Sequence, residues 1–402
     1  MLILINNERE KFIILKVKRL TRKSTIKDIA KLCGVSVSTV SYALNGNPKI
    51  SDERRTQIKE AARKLNYVPH DSALRLVNGT SNIIGLNISQ MNNPYLVSVS
   101  EKIVHIAREK GYSILLSIWD DEESRKKDLD TLVGKNVAGI ISGPLFCGHD
   151  PLLSDVYNVR GIPTVVLGRA NGLGIPQVGV DYRKGAFLAT EHLIKSGHET
   201  IGYMCLPDDD DARRDGFKDA LLKYTVRYCP EWSVSGFGTL ADGYAKMRTL
   251  LESGKALPTA FVCHNDLCAT GVLRAMAEKG LRAPKDISLV GFDNIEAGKY
   301  LTPSLTTLDP KEDEHAVRVF EMLEAQIKST GADCKTQSSR GGGVSYPPNL
   351  NSQGGLESPP SVNFALAQDN YEIASMEIEN RNVLIAPELV IRESCAAPKM
   401  SN

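Results

Sequence analysis

No run of 18 or more apolar residues occurs anywhere in the 402-residue chain, so no membrane span is expected. The apolar stretches 2–7 and 12–17 near the start are interrupted by charge, which excludes a secretory signal peptide. No CxxC pair occurs; the eight cysteines stand apart at 33, 147, 205, 229, 263, 268, 334 and 395. Free thiols in a reducing cytoplasm are the expectation. The run Cys263-His264-Asn265-Asp266-Leu267-Cys268 holds metal-capable side chains at a spacing that fits no standard zinc pattern, so no metal is expected. A GxSxG elbow, a Walker loop, HExxH and a GxGxxG opening a helix are all missing, and the seven histidines do not cluster. Catalysis and a bound cofactor are therefore not expected.

What is present is an imbalance. The chain carries a net charge of only +1, yet residues 1–80 hold 16 Lys/Arg against 7 Asp/Glu, a net of +9 that leaves −8 for residues 81–402. A near-neutral protein with one strongly basic end is charged for a polyanion at that end alone.

The basic end has helical periodicity. Thr25 can cap a first helix with Asp28 at the capping-box spacing, and Ile26, Ile29 and Ala30 fall on one stripe. Gly34 permits a tight turn, Ser36 is an N-cap for a second helix, and Val40, Ala43 and Leu44 face inward. Val37, Ser38, Ser41, Tyr42 and Asn45 are left outside. Ser51 caps a third helix with the core face Ile58, Ala61, Ala62 and Leu65, closed by Pro69. The pattern is a helix-turn-helix, whose second helix is shaped for a DNA major groove.

The segments Thr25-Ile26-x-Asp28-Ile29-Ala30, Gly34-Val35-Ser36, Thr39-Val40-Ser41, Leu44-Asn45-Gly46 and Leu65-Asn66-Tyr67-x-Pro69 resemble the DNA-binding end of the lactose-repressor/galactose-repressor family of bacterial regulators. The resemblance implies that Val37, Ser38 and Tyr42 meet base edges. It also implies that Ser36, Thr39 and Asn45, with Thr25, bind phosphate or fix the register. Many relatives have Arg where this chain has Tyr42, so a bidentate guanine contact does not carry over; Tyr42 could offer its hydroxyl or an apolar edge to a thymine methyl, and Val37 favours apolar contact. Residues 70–81 would be a hinge that folds only when two copies meet on an operator. Ala73 and Leu76 would then press into the minor groove with Leu76 as the wedge; the alternative is an ordinary linker packing on the next domain.

Beyond Asn82, short apolar runs alternate with amphipathic helices in two series, which predicts two α/β lobes of parallel sheet covered on both faces. The resemblance extends here through Asn93-Pro94-Tyr95, Gly197-His198-x-x-Ile201-Gly202, Asn265-Asp266, Gly291-Phe292-Asp293-Asn294 and Pro387-Glu388-Leu389-Val390-x-Arg392. It implies a small all-α helix-turn-helix headpiece plus an α/β two-lobed periplasmic-binding-protein-like domain with parallel sheets and three crossovers. The expected layout is an N-terminal extension 1–23, helix-turn-helix 24–69, hinge 70–81 and effector-binding and dimerisation domain 82–395, with a tail 396–402. The first lobe takes about 82–179 plus 309–330 and the second about 182–306 plus 383–395, with crossovers near 178–182, 305–309 and after 330. The extension is an arm, an extra strand or a misassigned start.

Ligands of open α/β sheets bind beyond the carboxyl ends of strands. That rule and the family match select Arg213 and Asp293 first, then Asn265, Asp266, Asn93 and Tyr95, as effector-binding residues for adjacent sugar hydroxyls. The Tyr95 ring would either cover an apolar sugar face or pack the lobe. Asp208 to Asp211 reads as a solvated acidic tip or as a rim that disfavours anionic effectors. Of the 45 residues 336–380, 21 are Gly, Pro, Ser or Asn, the composition of a disordered insertion.

The implied function is a cytoplasmic, nucleoid-associated DNA-binding repressor, a homodimer or tetramer on a pseudo-palindromic operator, controlled by a small effector such as a sugar. The alternative is a sugar-binding receptor of the periplasmic type without a regulatory role.

Overall fold

A computed structural model describes residues 24–44, 47–67, 81–89, 91–143, 150–169, 174–205, 212–236, 238–338 and 382–398. The chain divides into two compact units, 1–80 and 81–402.

In the first unit, α1 (Ile26–Cys33), α2 (Val37–Leu44) and α3 (Asp52–Lys64) pack around Ile29, Val40, Ala43 and Ile58, all fully buried. The Asp28 carboxylate accepts from both the N–H and the hydroxyl of Thr25, each at 2.8 Å, which satisfies the front of α1. Gly34 ends α1 at φ 64°, a left-handed cap that a β-carbon would strain. The Ser36 hydroxyl accepts from Thr39 N–H at 3.1 Å and so caps α2, which starts at the next residue. Arg55 on α3 donates to the carbonyls of Asn47 and Ile50, both at 3.1 Å, and so pins the turn between α2 and α3.

The second unit holds two parallel sheets. The first is six-stranded: β1 (Ile83–Ile88), β2 (Ser113–Ile118), β3 (Gly139–Ser142), β4 (Thr164–Leu167), β5 (Gln177–Val180) and β11 (Asn382–Ile385), in the order β11-β5-β4-β3-β1-β2. Its faces are covered by α4 (Pro94–Glu109), α5 (Glu122–Gly134) and the long last helix, α10 (Glu312–Ser338), whose Ala316, Val319, Phe320 and Leu323 lie in the same core as Ile84, Leu86 and Ile103. Each fully buried Val, Leu, Ile or Phe side chain in this core stabilises the fold by about 1.5–3 kcal/mol. The second sheet has the order β7-β6-β8-β9, built from β6 (Ile201–Cys205), β7 (Ser233–Ser235), β8 (Ala260–Cys263) and β9 (Ser288–Val290). Helices α6 (Tyr182–Lys195) and α7 (Ala212–Lys223) cover one face; α8 (Leu240–Glu252) and α9 (Asp266–Glu278) cover the other. The last pair touch backbone to backbone: a β-carbon on Gly271 would lie 2.1 Å from the Leu240 carbonyl. A separate antiparallel ribbon pairs β10 (Thr307–Asp309) with β12 (Glu388–Val390).

Four boundaries differ from the sequence reading. Gln177–Val180, expected within a crossover, is a strand of the first sheet paired with β4 and β11. Residues 382–385 join that same sheet, so the start of the second lobe's last piece moves from 383 to beyond Ile385. Both strands have four residues, too few to show a period before their partners are known. The last helix, whose lobe segment was expected to end at about 330, runs to Ser338, three residues into the span assigned to disorder; the rest of 336–380 lies outside the described residues. Finally, the tail is fastened at its start: the Ala396 carbonyl takes a 2.9 Å hydrogen bond from His198 Nε2. The extension 1–23, the hinge residues 70–80 and the acidic run 208–211 also lie outside the described residues.

Candidate nucleic-acid interface and ligand cleft

The headpiece turns a small set of side chains outward. Because α2 buries Val40 and Ala43, its opposite face carries Val37, Ser38 and Tyr42, all exposed; Val37 and Tyr42 are 40% and 47% accessible. Together they give that exposed helix face an apolar strip suited to contact. Ser36 and Thr39 share a 2.8 Å hydroxyl contact at the front of α2, and the Thr25 hydroxyl is committed to Asp28. Asn45, Ala73 and Leu76 lie outside the described residues. Lys27, Lys31, Lys49, Arg54, Lys59, Arg63 and Lys64 are exposed around this core.

In the second unit, a repeated device brings the cleft together. Asn93 follows β1 and caps α4, its side-chain oxygen accepting from Tyr95 N–H at 2.9 Å. Asn265 follows β8 and caps α9, its oxygen accepting from Cys268 N–H at 2.8 Å. Each cap spends its carbonyl on the helix and leaves an amide NH2 to donate. The Asn93 amide donates across the lobes to Asp293 Oδ2 at 3.1 Å.

Asp293 lies beyond the end of β9 with φ 104°, a conformation held by its backbone N–H donating to the Leu308 carbonyl at 3.0 Å. Burial lifts its carboxyl pKa to about 6, against the opposing pull of Arg213 and of the Asn93 hydrogen bond. The Arg213 guanidinium stacks 3.7 Å from the centre of the Tyr182 ring and 4.7 Å from that of Phe292. A planar cation between two aromatic faces is fixed in orientation and presents its donors edge-on. Tyr182 and Phe292 were not among the residues selected from sequence; only the folded crossing of α6 and β9 reveals them.

Two selected residues have their polar atoms committed inside the fold. Asp266 is fully buried; its carboxylate accepts from the Thr307 hydroxyl at 2.6 Å and from Ile295 N–H at 2.9 Å. Burial raises its pKa well above the usual carboxylate value. It therefore ties the loop that carries Asp293 to the crossover strand β10. Tyr95 is buried in the first-lobe core and its hydroxyl meets His315 Nδ1 at 2.5 Å. His315 Nε2 contacts the Val178 carbonyl at 2.8 Å, which can only accept, so Nε2 carries the proton and Nδ1 accepts from Tyr95. Burial depresses the His315 pKa to about 4 and keeps the ring neutral. Asn93, Arg213 and Asp293 thus form one polar constellation; Asn265 caps α9 at the matching position of the second sheet, and Asp266 and Tyr95 stand behind.

No helix among the described residues is long and apolar enough to cross a membrane. Comparison with known proteins gives two family matches: residues 25–70 match the bacterial regulatory proteins of the lacI family, and residues 190–341 match the periplasmic binding protein-like domain. The HTH-type transcriptional repressor PurR of Histophilus somni (strain 129Pt) is 31% identical over 318 residues, covering 77% of this chain and 94% of that protein. The ribose operon repressor of Haemophilus influenzae is 30% identical, covering 78% and 95%. Among solved structures, the Lac repressor dimer bound to operator and the anti-inducer ONPF superposes with a TM-score of 0.71 at 23% identity, covering 94% of this chain and 100% of that one. A complex of the regulator CelR with cellobiose gives 0.61 at 22%, covering 92% and 100%. A receptor without a regulatory role does not account for the match over residues 25–70. The chain belongs to the lacI family of bacterial regulatory proteins and is a transcriptional repressor that joins a helix-turn-helix DNA-binding domain to a periplasmic-binding-like effector domain.

Proposed function

We propose that the repressor pairs as a homodimer on a pseudo-palindromic operator and that a small sugar in the cleft sets its affinity for that operator. The observation that carries this reading is the contact between Asn93 of the first lobe and Asp293 of the second, beside a ring-clamped Arg213. A ligand that bridges these groups binds the two lobes unequally in open and closed arrangements, which is the condition for shifting an equilibrium. A carboxylate, a guanidinium and an amide can together read two adjacent hydroxyls, as the cellobiose complex and the ribose operon repressor among the relatives also suggest. Val37, Ser38 and Tyr42 would meet base edges, Ser36 and Thr39 phosphates, and Leu76 the minor groove, with Thr25, Asn45 and Ala73 in support.

Pairing is supported by the edge strand β2, which leaves Leu116 and Ile118 44% and 47% exposed on an open sheet edge. Such an edge needs a cover, and a second copy supplies it with two-fold symmetry.

Genomic footprinting with the purified protein, with and without D-ribose, D-glucose, D-galactose and cellobiose, tests the reading. Inverted half-sites whose occupancy changes at least fivefold with one sugar are expected, a coupling of ~1 kcal/mol or more. Sites without inverted symmetry, or occupancy indifferent to every sugar, would reject it.

A further inference from the structure

One polar side chain at the cleft end of the second sheet is left unused by the constellation above. His264 stands between the last residue of β8 and the helix cap Asn265, and it is 8% exposed. Its Nδ1 is fully covered and has no hydrogen-bond partner among the described residues. The other edge of the ring is spoken for. A β-carbon on Gly238 would lie 2.9 Å from His264 Cδ2 and 3.6 Å from Nε2, so the loop between β7 and α8 rests on that edge. The Nδ1 edge consequently faces away from that loop. The Arg213 cation is close enough to act on the ring; together with burial it keeps the imidazole neutral.

A buried hydrogen-bonding atom with nothing to bond is costly to leave empty, and it becomes informative when it stands at a ligand site. A neutral imidazole at this point adds no charge for a phosphate or carboxylate. It offers one hydrogen bond whose sense depends on the tautomer, and a hydroxyl is the group that satisfies either tautomer, because it both donates and accepts.

We propose that His264 is a specificity-determining effector contact whose Nδ1, covered in the arrangement seen here, takes one hydroxyl of a neutral, polyhydroxylated ligand when the lobes part to admit it. The inference rests on the reading of the cleft as a sugar-effector site and adds to it a chain-specific reader on the second lobe. Arg213 and Asp293 grip the ligand; His264 selects among ligands that differ in the position or presence of a single hydroxyl. Sites built to bond a hydroxyl discriminate strongly against the analogue that lacks it, because the site group is then stranded.

The test uses the full-length protein, its His264→Gln and His264→Ala variants, and calorimetric titration with D-ribose, D-glucose, D-galactose, cellobiose and the monodeoxy form of whichever sugar binds. The variants' melting curves and operator binding without sugar serve as controls for folding. Against wild type, His264→Ala is expected to weaken the binding sugar about tenfold, with His264→Gln in between. Removing the one hydroxyl that His264 reads should cost wild type about tenfold and His264→Ala less than twofold, a non-additivity that a packing role would not produce. Sugar affinity unchanged within twofold in His264→Ala, or every deoxy sugar losing as much affinity in the variant as in wild type, would overturn the assignment while leaving the sugar-effector reading intact. If wild type binds none of the sugars, that reading and this one fall together.

Discussion

The two lobes are built to one plan and differ in what they bring to the cleft. Both place an asparagine after a strand and use it to cap the next helix, Asn93 on α4 and Asn265 on α9. Behind Asn93 the first lobe offers a neutral, committed pair, Tyr95 and His315, while the second offers Arg213, Asp293, Asp266 and His264, all ionisable and all in or beside the cleft. Among these residues the ionisable side chains of the cleft sit mainly on the second lobe, and the first answers Asp293 with an amide. The lobe with the charges should determine how tightly a ligand is held; the neutral lobe should determine what its arrival does to the rest of the molecule.

The largest break in that comparison is Asp293→Asn. It removes the charged partner of Arg213, and loss of a buried charge-assisted hydrogen bond of about 3 kcal/mol predicts effector affinity down ~100-fold by titration calorimetry. Its pH signature is separable. The folded carboxyl holds its proton up to about 6, above the unfolded value of ~3.9, so this group stabilises most in acid and loses that contribution as pH rises through 6. His315 acts in the opposite sense: its pKa falls from 6.5 to about 4, so its stabilisation is present above 6.5 and lost as pH drops toward 4. Over that window the two lobes offset each other. Asp293→Asn should leave the histidine effect uncovered, and its Tm should fall more steeply than wild type between pH 6 and 4.5. Parallel Tm profiles would show that the carboxyl titrates normally.

The next test compares the two caps. Asn93→Ala and Asn265→Ala each lose a helix N-cap, about 1 kcal/mol. Only Asn93→Ala also loses the cross-lobe bond to Asp293. Denaturant melts should place the two variants within ~1 kcal/mol of each other, whereas the response of operator affinity to effector should be reduced severalfold more in Asn93→Ala. An equal loss of response in both would mean that the neutral lobe has no special part in reporting.

How much of this was legible before folding differs by region for a physical reason. The headpiece is local: Thr25, Gly34, Ser36 and Ser51 act within four residues of themselves, and each does what its position in the chain implies. The cleft is legible where a strand end dictates position, which is why Asn93, Arg213 and Asp293 come together. It is not legible where a role comes from distant packing. Asp266 has the composition of a ligand residue, but Thr307, 41 residues away, takes one of its oxygens. Tyr182, Phe292 and His315 carry no local signal at all, and β11 exists only because it finds β5 across some 200 residues.

The smallest expected effect is the most discriminating. Tyr95→Phe keeps the ring in the first-lobe core and removes only the hydroxyl that satisfies His315 Nδ1. A neutral imidazole nitrogen left unpaired in that core costs roughly 1–2 kcal/mol, which should appear as a lower Tm at pH 7. Because the hydroxyl points to His315 rather than to Asp293 or Arg213, effector affinity should stay within twofold. A tenfold loss of affinity at unchanged Tm would move Tyr95 from the core to the ligand, and with it would go the division of labour between a charged lobe that binds and a neutral lobe that reports.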